Sequence, residues 1–189
     1  MGKEIQETAI ITTYTGTHVD LLRPDVAEIH LDDIAAHLSR TPRFGGATQR
    51  TYTVAEHLLL GLEFCVPWHR FKWFTHDFSE AYLGDVVGPF KRTWSMQVYR
   101  ALELEWEIAL TARFGIPKAG VGEVRTLDAR MLVTEQRDLM GRHPRSTDKY
   151  KPFALHIAPV APSTDWLQEH FLAAFYDLVS KTEGASHRS

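Results

Sequence analysis

The chain carries one cysteine, Cys65, in 189 residues, so no intrachain disulfide can form and a reducing compartment is expected. Its setting, GLEFCVPW, reads as an inert buried thiol rather than a nucleophile. Also missing is any apolar run near the roughly 18 residues that a membrane span requires, so no membrane association is expected. The opening MGKEIQETAI has neither the basic start nor the apolar centre of a secretory signal, and Gln6 stands where a myristoylation motif would carry Ser or Thr. There is no excess of positive charge: 21 Lys and Arg stand against 24 Asp and Glu, and a net charge of −3 offers nucleic acid no general attraction. Internal repeats are absent, and the only low-complexity stretch is the final KTEGASHRS, which is expected to be disordered over 182–189 and to leave His187 far from any site. These absences, with 44% hydrophobic residues, leave a single cytoplasmic domain over 1–181 with one well-buried core.

What is present is mainly helical periodicity. Apolar residues recur at i, i+3 and i+4 over 32–39, 53–66, 68–80, 92–114, 121–141 and 163–180, the last opened by Ser163 or Thr164 as a cap. Strand signal is confined to AIITTYTG and THVDLLRP, which predict a short N-terminal β-hairpin, and to a further short strand at 153–158. The expected fold class is mostly α.

The chemistry concentrates in HDFSEAYLGD at 76 to 85, where His76, Asp77, Glu80 and Asp85 fall within ten positions. Adjacent helical residues point about 100° apart, so His76 and Asp77 can share an ion only at a helix end or distortion, and Gly84 and Pro89 announce such an end. Glu80 lies three and four residues after Asp77 and His76 and shares their face, where a water-activating or proton-shuttling carboxylate belongs. His57, in TVAEHLLLGLEF, lies among Val54, Leu58 and Leu62 and reads as either a hydrogen-bonded core residue or a ligand. Asp128, flanked by Leu127, Met131 and Leu132, must be paired with Arg125 or Arg130 or bound to a cation. A mixed shell of imidazole and carboxylate suits manganese, cobalt, iron, nickel or zinc better than calcium.

Together, His57, His76, Asp77 and Asp128 resemble the His...His-Asp...Asp signature of the HD-domain metal phosphohydrolases. RFGG at 43–46, YTVAEH at 52–57, HDFSEAYLGDVVGPFKR at 76–92 and LDARMLVTEQRDL at 127–139 resemble the compact nucleotidase-type branch, which includes phage dATP triphosphohydrolases and bacterial and prophage deoxynucleoside 5′-monophosphatases. The resemblance implies an HD-type helical bundle and one divalent transition metal held by those four residues, with a second ion, magnesium, accompanying a polyphosphate. It implies Glu80 and Asp85 as the catalytic acidic pair, Arg43 as the residue approaching the 5′ phosphate and Phe44 as a stacking partner for the base. Asp85 beside Gly84 can equally be a turn residue, and Phe44 a core residue. Lys91 and Arg92 follow the motif at a location suited to a longer polyphosphate, and either can equally be solvated surface charge.

The expected activity is hydrolysis of a deoxynucleoside 5′-phosphate at the α phosphorus, with dATP to deoxyadenosine plus triphosphate as the preferred case. A 5′-nucleotidase acting on monophosphates and a nucleotide-binding regulator without turnover are the alternatives. The expected partners are a small-molecule nucleotide and further copies of the chain, in a dimer or hexamer.

Overall fold

The computed structural model describes residues 7–142 and 149–186, with side chains through 182. The architecture is mostly helical with one antiparallel hairpin, β1 (Ile10–Thr12) and β2 (His18–Asp20), in which Ile11 faces Val19. The hairpin is tied to the first helix, α1 (Leu31–Leu38), by the fully buried Asp33, whose carboxylate accepts from Thr15 N (2.6 Å) and Thr15 Oγ1 (3.0 Å). This pairing satisfies an otherwise costly buried charge.

The helix α2 (Val54–Gly61) opens with a capping box, TVAE, in which the Thr53 side chain accepts from Glu56 N. It stops at Gly61, short of the expected 66, because a tight turn through 62–66 leads into Pro67. The expected helix over 68–80 is interrupted: α3 (Arg70–Thr75) and α4 (Glu80–Leu83) are joined by i to i−3 hydrogen bonds donated by His76, Phe78 and Glu80 N. A short helix, α5 (Gly88–Lys91), precedes the segment expected as one helix over 92–114, which itself begins with a single 3-10 turn at Trp94–Met96 and becomes α6 (Gln97–Phe114), ending on left-handed Gly115. Then come α7 (Val121–Leu139) and α8 (Thr164–Ser186), the latter capped by Ser163 Oγ, which accepts from Trp166 N (3.2 Å). That α8 continues to Ser186 corrects its expected end at 180; residues 187–189, with His187, lie outside the described residues.

The strand expected at 153–158 does not form. Its backbone groups are taken up by α7 side chains: Phe153 N donates to Thr134 Oγ1 (2.9 Å), Ile157 N to Asp138 (2.9 Å), and Arg137 donates to the carbonyls of Phe153 (2.7 Å) and Leu155 (2.5 Å). A segment so satisfied needs no strand partner. No helix among the described residues is long and apolar enough to cross a membrane.

The main core gathers Ile34, Leu38, Leu58, Phe74, Phe78, Trp106 and Phe171, with α8 packed across α1, α2 and α3. Burial pushes the Cys65 thiol up to about 11, as expected of an inert cysteine. Beside this core, Trp73 is wholly buried, donates its indole N–H to Leu58 O (2.8 Å) and leans against His57 and His76, with centroids 5.0 and 4.6 Å away. Gly61 makes room for it: a Cβ there would fall 1.9 Å from the Trp73 ring. Gly61→Ala is therefore expected to cost about 1–3 kcal/mol through overpacking, read as a lower urea midpoint. An unchanged midpoint would mean that the indole moves freely.

Candidate metal centre

Four elements deliver the site. α2 contributes His57, the interrupted turn after α3 contributes His76 and Asp77, α7 contributes Asp128, and the RFGG turn at Arg43–Gly46 contributes Arg43. Candidate ligand atoms of His57, His76 and Asp128 lie within 4.8 Å of one another. Asp77 lies beside this group through two different oxygens: its Oδ1 is 3.2 Å from His76 Nε2 and its Oδ2 is 3.8 Å from His57 Nε2, which is in turn 3.5 Å from Asp128 Oδ1.

The imidazole tautomers follow from their partners. His57 Nδ1 lies 2.5 Å from Glu135 and His76 Nδ1 lies 2.6 Å from Trp73 O. Both partners can only accept, so each Nδ1 carries the proton and each Nε2 presents a lone pair. Both Nε2 atoms are buried without a hydrogen-bond partner. Two orphaned imidazole lone pairs facing two carboxylates form a donor set suited to a divalent transition ion, with the Nδ1 bonds fixing the rings as supporting partners of ligands do.

Charge points the same way. Arg43 is buried and its guanidinium reaches Glu135 (3.3 Å), Asp77 (3.5 Å) and Asp128 (3.9 Å). Three carboxylates against one guanidinium leave two negative charges, the complement of a divalent cation. Burial opposes the Arg43 charge, but Glu135, Asp77 and Asp128 outweigh it and raise its pKa. Burial likewise works against the Asp77 and Glu135 carboxylates; His76, His57 and Arg43 hold Asp77 below its ordinary value, and Arg43 and His57, with the Tyr52 hydroxyl, hold Glu135 down at about 2.

Over 131 residues the chain is 31% identical to the uncharacterized protein YfdR of Escherichia coli, spanning 69% of this chain and 72% of that relative. The chain belongs to the YfdR family. It is also 32% identical over 133 residues to the uncharacterized protein RCAP_rcc00048 of Rhodobacter capsulatus, spanning 62% of this chain and 67% of that protein. No family model matches the chain.

The remaining expected site residues of this YfdR-family protein lie around the cluster. Glu80 is buried, with Oε2 lacking a hydrogen-bond partner, and burial followed by Asp77 and Asp85 raises its pKa well above the ordinary value. Asp85, raised chiefly by burial, accepts from Phe44 N (3.2 Å) and so joins the HDFSEAYLGD segment to the RFGG turn. That bond helps hold Phe44 at φ 57, a left-handed conformation that costs a non-glycine residue about 1–2 kcal/mol. The Phe44 ring lies 5.6 Å from the Arg43 guanidinium and packs beside Tyr52, Leu139 and Ile157. Lys91 pairs with Glu103 and, with Lys72 and Arg125, lines a cleft of about 490 Å³ that also exposes His76 and Asp77. Neither arginine offered as a partner for Asp128 is needed: Asp128 faces His57 and Arg43, while Arg130 stacks over Phe153, 3.8 Å from its centroid.

Sequence reasoning missed Glu135 and Tyr52. The available signal was spacing, since Glu135 lies seven residues, two helical turns, after Asp128 on α7 and so returns to the same face.

Loading the protein with cobalt or manganese is expected to retain close to one ion per chain, and His57→Ala or Asp77→Ala to lose it on elemental analysis, while Glu80→Gln keeps it. Full metal content in either of the first two variants would remove those residues from the ligand set.

Proposed function

We propose that the protein is a divalent-metal-dependent phosphohydrolase that attacks deoxynucleoside 5′-phosphates at the α phosphorus, with dATP to deoxyadenosine plus triphosphate as the preferred reaction. The observation that carries this reading is the pair of buried, unpartnered imidazole nitrogens facing Asp77 and Asp128, beside an arginine able to meet a phosphate. The HD-domain resemblance of the same residues supports it, with His57, His76, Asp77 and Asp128 as the ligands.

A bound divalent ion would polarise a phosphoryl oxygen and lower the pKa of water. The protein's own residues would do the rest. Arg43 would hold a nonbridging phosphate oxygen, and the Phe44 ring would offer a face to the base or sugar. Glu80, whose pKa burial, Asp77 and Asp85 raise above that of an ordinary carboxylate, would receive the proton of the attacking water and deliver it to the 5′ oxygen as the P–O5′ bond breaks. Asp85, fixed by Phe44 N, would support Glu80 in that exchange and keep the RFGG turn in place.

Support for the longer substrate comes from Lys72, Lys91 and Arg125, which line one space with His76 and Asp77; a chain of phosphates leaving the site along it would meet those cations and would displace Glu103 from Lys91, with Glu107 also on the wall.

The test is chromatography of the products formed from dATP and, separately, from dAMP by metal-loaded protein. Deoxyadenosine with intact triphosphate from dATP is expected, and Glu80→Ala should slow that release by about 100- to 10,000-fold. Deoxyadenosine from dAMP with dATP untouched would replace the triphosphate reading with a 5′-nucleotidase. Tight nucleotide binding without any release would leave a regulator.

A further inference from the structure

We propose that Glu135 is a positioning residue that ties the protein's grip on the ion to its grip on the phosphate; the inference rests on the phosphohydrolase reading for the identity of that anion. Glu135 and the His57 side chain are completely buried, and the two oxygens of the Glu135 carboxylate serve different neighbours. Oε1 accepts from His57 Nδ1 (2.5 Å) and from the Tyr52 hydroxyl (2.9 Å). Oε2 faces Arg43 at 3.3 Å as an ion pair without a hydrogen bond. The carboxylate thus fixes the ring whose Nε2 looks toward Asp77 and Asp128, and the same group anchors the guanidinium beside those two residues.

The division of labour makes the two grips separable. A glutamine at 135 keeps the shape but has one oxygen. With that oxygen on His57 and Tyr52, where it satisfies two donors, its amide N–H groups meet the N–H groups of Arg43, donor against donor. The ring keeps its tautomer, and the arginine loses the nearest of its three carboxylates while Asp77 and Asp128 remain. An alanine releases both, leaving a buried tyrosine hydroxyl and a buried imidazole N–H without an acceptor. Because α7 carries both Asp128 and Glu135, the helix that brings a carboxylate to the site also brings the group that orients the histidine.

The experiment measures cobalt binding by competition with a chelator, the visible spectrum of the bound cobalt, and inorganic phosphate binding to the cobalt-loaded protein. It compares wild type, Glu135→Gln, Glu135→Ala and Tyr52→Phe, with circular dichroism to establish folding. Glu135→Gln is expected to keep the cobalt spectrum while its phosphate Kd rises about tenfold or more. Glu135→Ala is expected to weaken cobalt by about 10- to 100-fold and to shift the spectrum, and Tyr52→Phe to weaken it less. The proposal is overturned if Glu135→Gln binds phosphate as wild type does, or if folded Glu135→Ala binds cobalt with wild-type affinity and spectrum; should the alanine variant not fold, the glutamine variant decides. No nucleotide enters these titrations. A wild type that fails to turn over any nucleotide would sink the phosphohydrolase reading and leave the positioning result standing, whereas a wild type that binds no cobalt would overturn the proposal itself.

Discussion

Bringing three carboxylates together around one buried guanidinium is the constraint on which the centre of this molecule depends. Asp77, Asp128 and Glu135 come from two separate helical regions, and Arg43 reaches all three. Asp77 and Glu135 are withdrawn from water while Asp128 stays half-exposed, and gathering like charges in this way is unfavourable unless cations balance them. One arginine balances only part of the charge, and the deficit of two units sits beside two imidazole lone pairs. The proposed ion is the group that closes this balance, and the surrounding helices are arranged to bring its candidate ligands within reach.

Apolar packing fixes that arrangement. The Trp73 indole, seated over Gly61 and bonded to Leu58 O, backs both histidine rings, so their orientation is set by the core as well as by hydrogen bonds. The interruption between α3 and α4 brings Asp77 Oδ1 within 3.2 Å of His76 Nε2, although they are neighbours in sequence. The RFGG turn supplies the opposite wall, held in a left-handed conformation by Asp85 and by the packing of Phe44. Asp85 therefore shapes the backbone that presents Arg43.

Much of this was legible in the chain. Helices were visible because their apolar residues repeat at helical spacing, and the hairpin because two short β-rich runs flank a turn. That His76 and Asp77 needed a helix end or a distortion to share an ion was legible, but the expected helix ran on to 80 and its interruption after Thr75 was not foreseen. Less legible were features decided by distant side chains. The stretch 153–158 has strand-like composition, yet Thr134, Arg137 and Asp138 claim its backbone groups. The extent of α8 was hidden because a polar, glycine-containing end gives no amphipathic signal. Glu135 was hidden for a different reason: glutamate in a polar helix is ordinarily a solvated residue, and only its return to the face of Asp128, opposite His57, Tyr52 and Arg43, makes it part of the site.

The central claim is that one divalent ion is held by two imidazoles and two carboxylates, with Arg43 outside its coordination shell. X-ray absorption spectroscopy of the wild-type protein loaded with one equivalent of cobalt addresses it most directly. The account predicts nitrogen and oxygen neighbours together with the outer-shell scattering of two imidazole rings. An all-oxygen shell without imidazole scattering would contradict it.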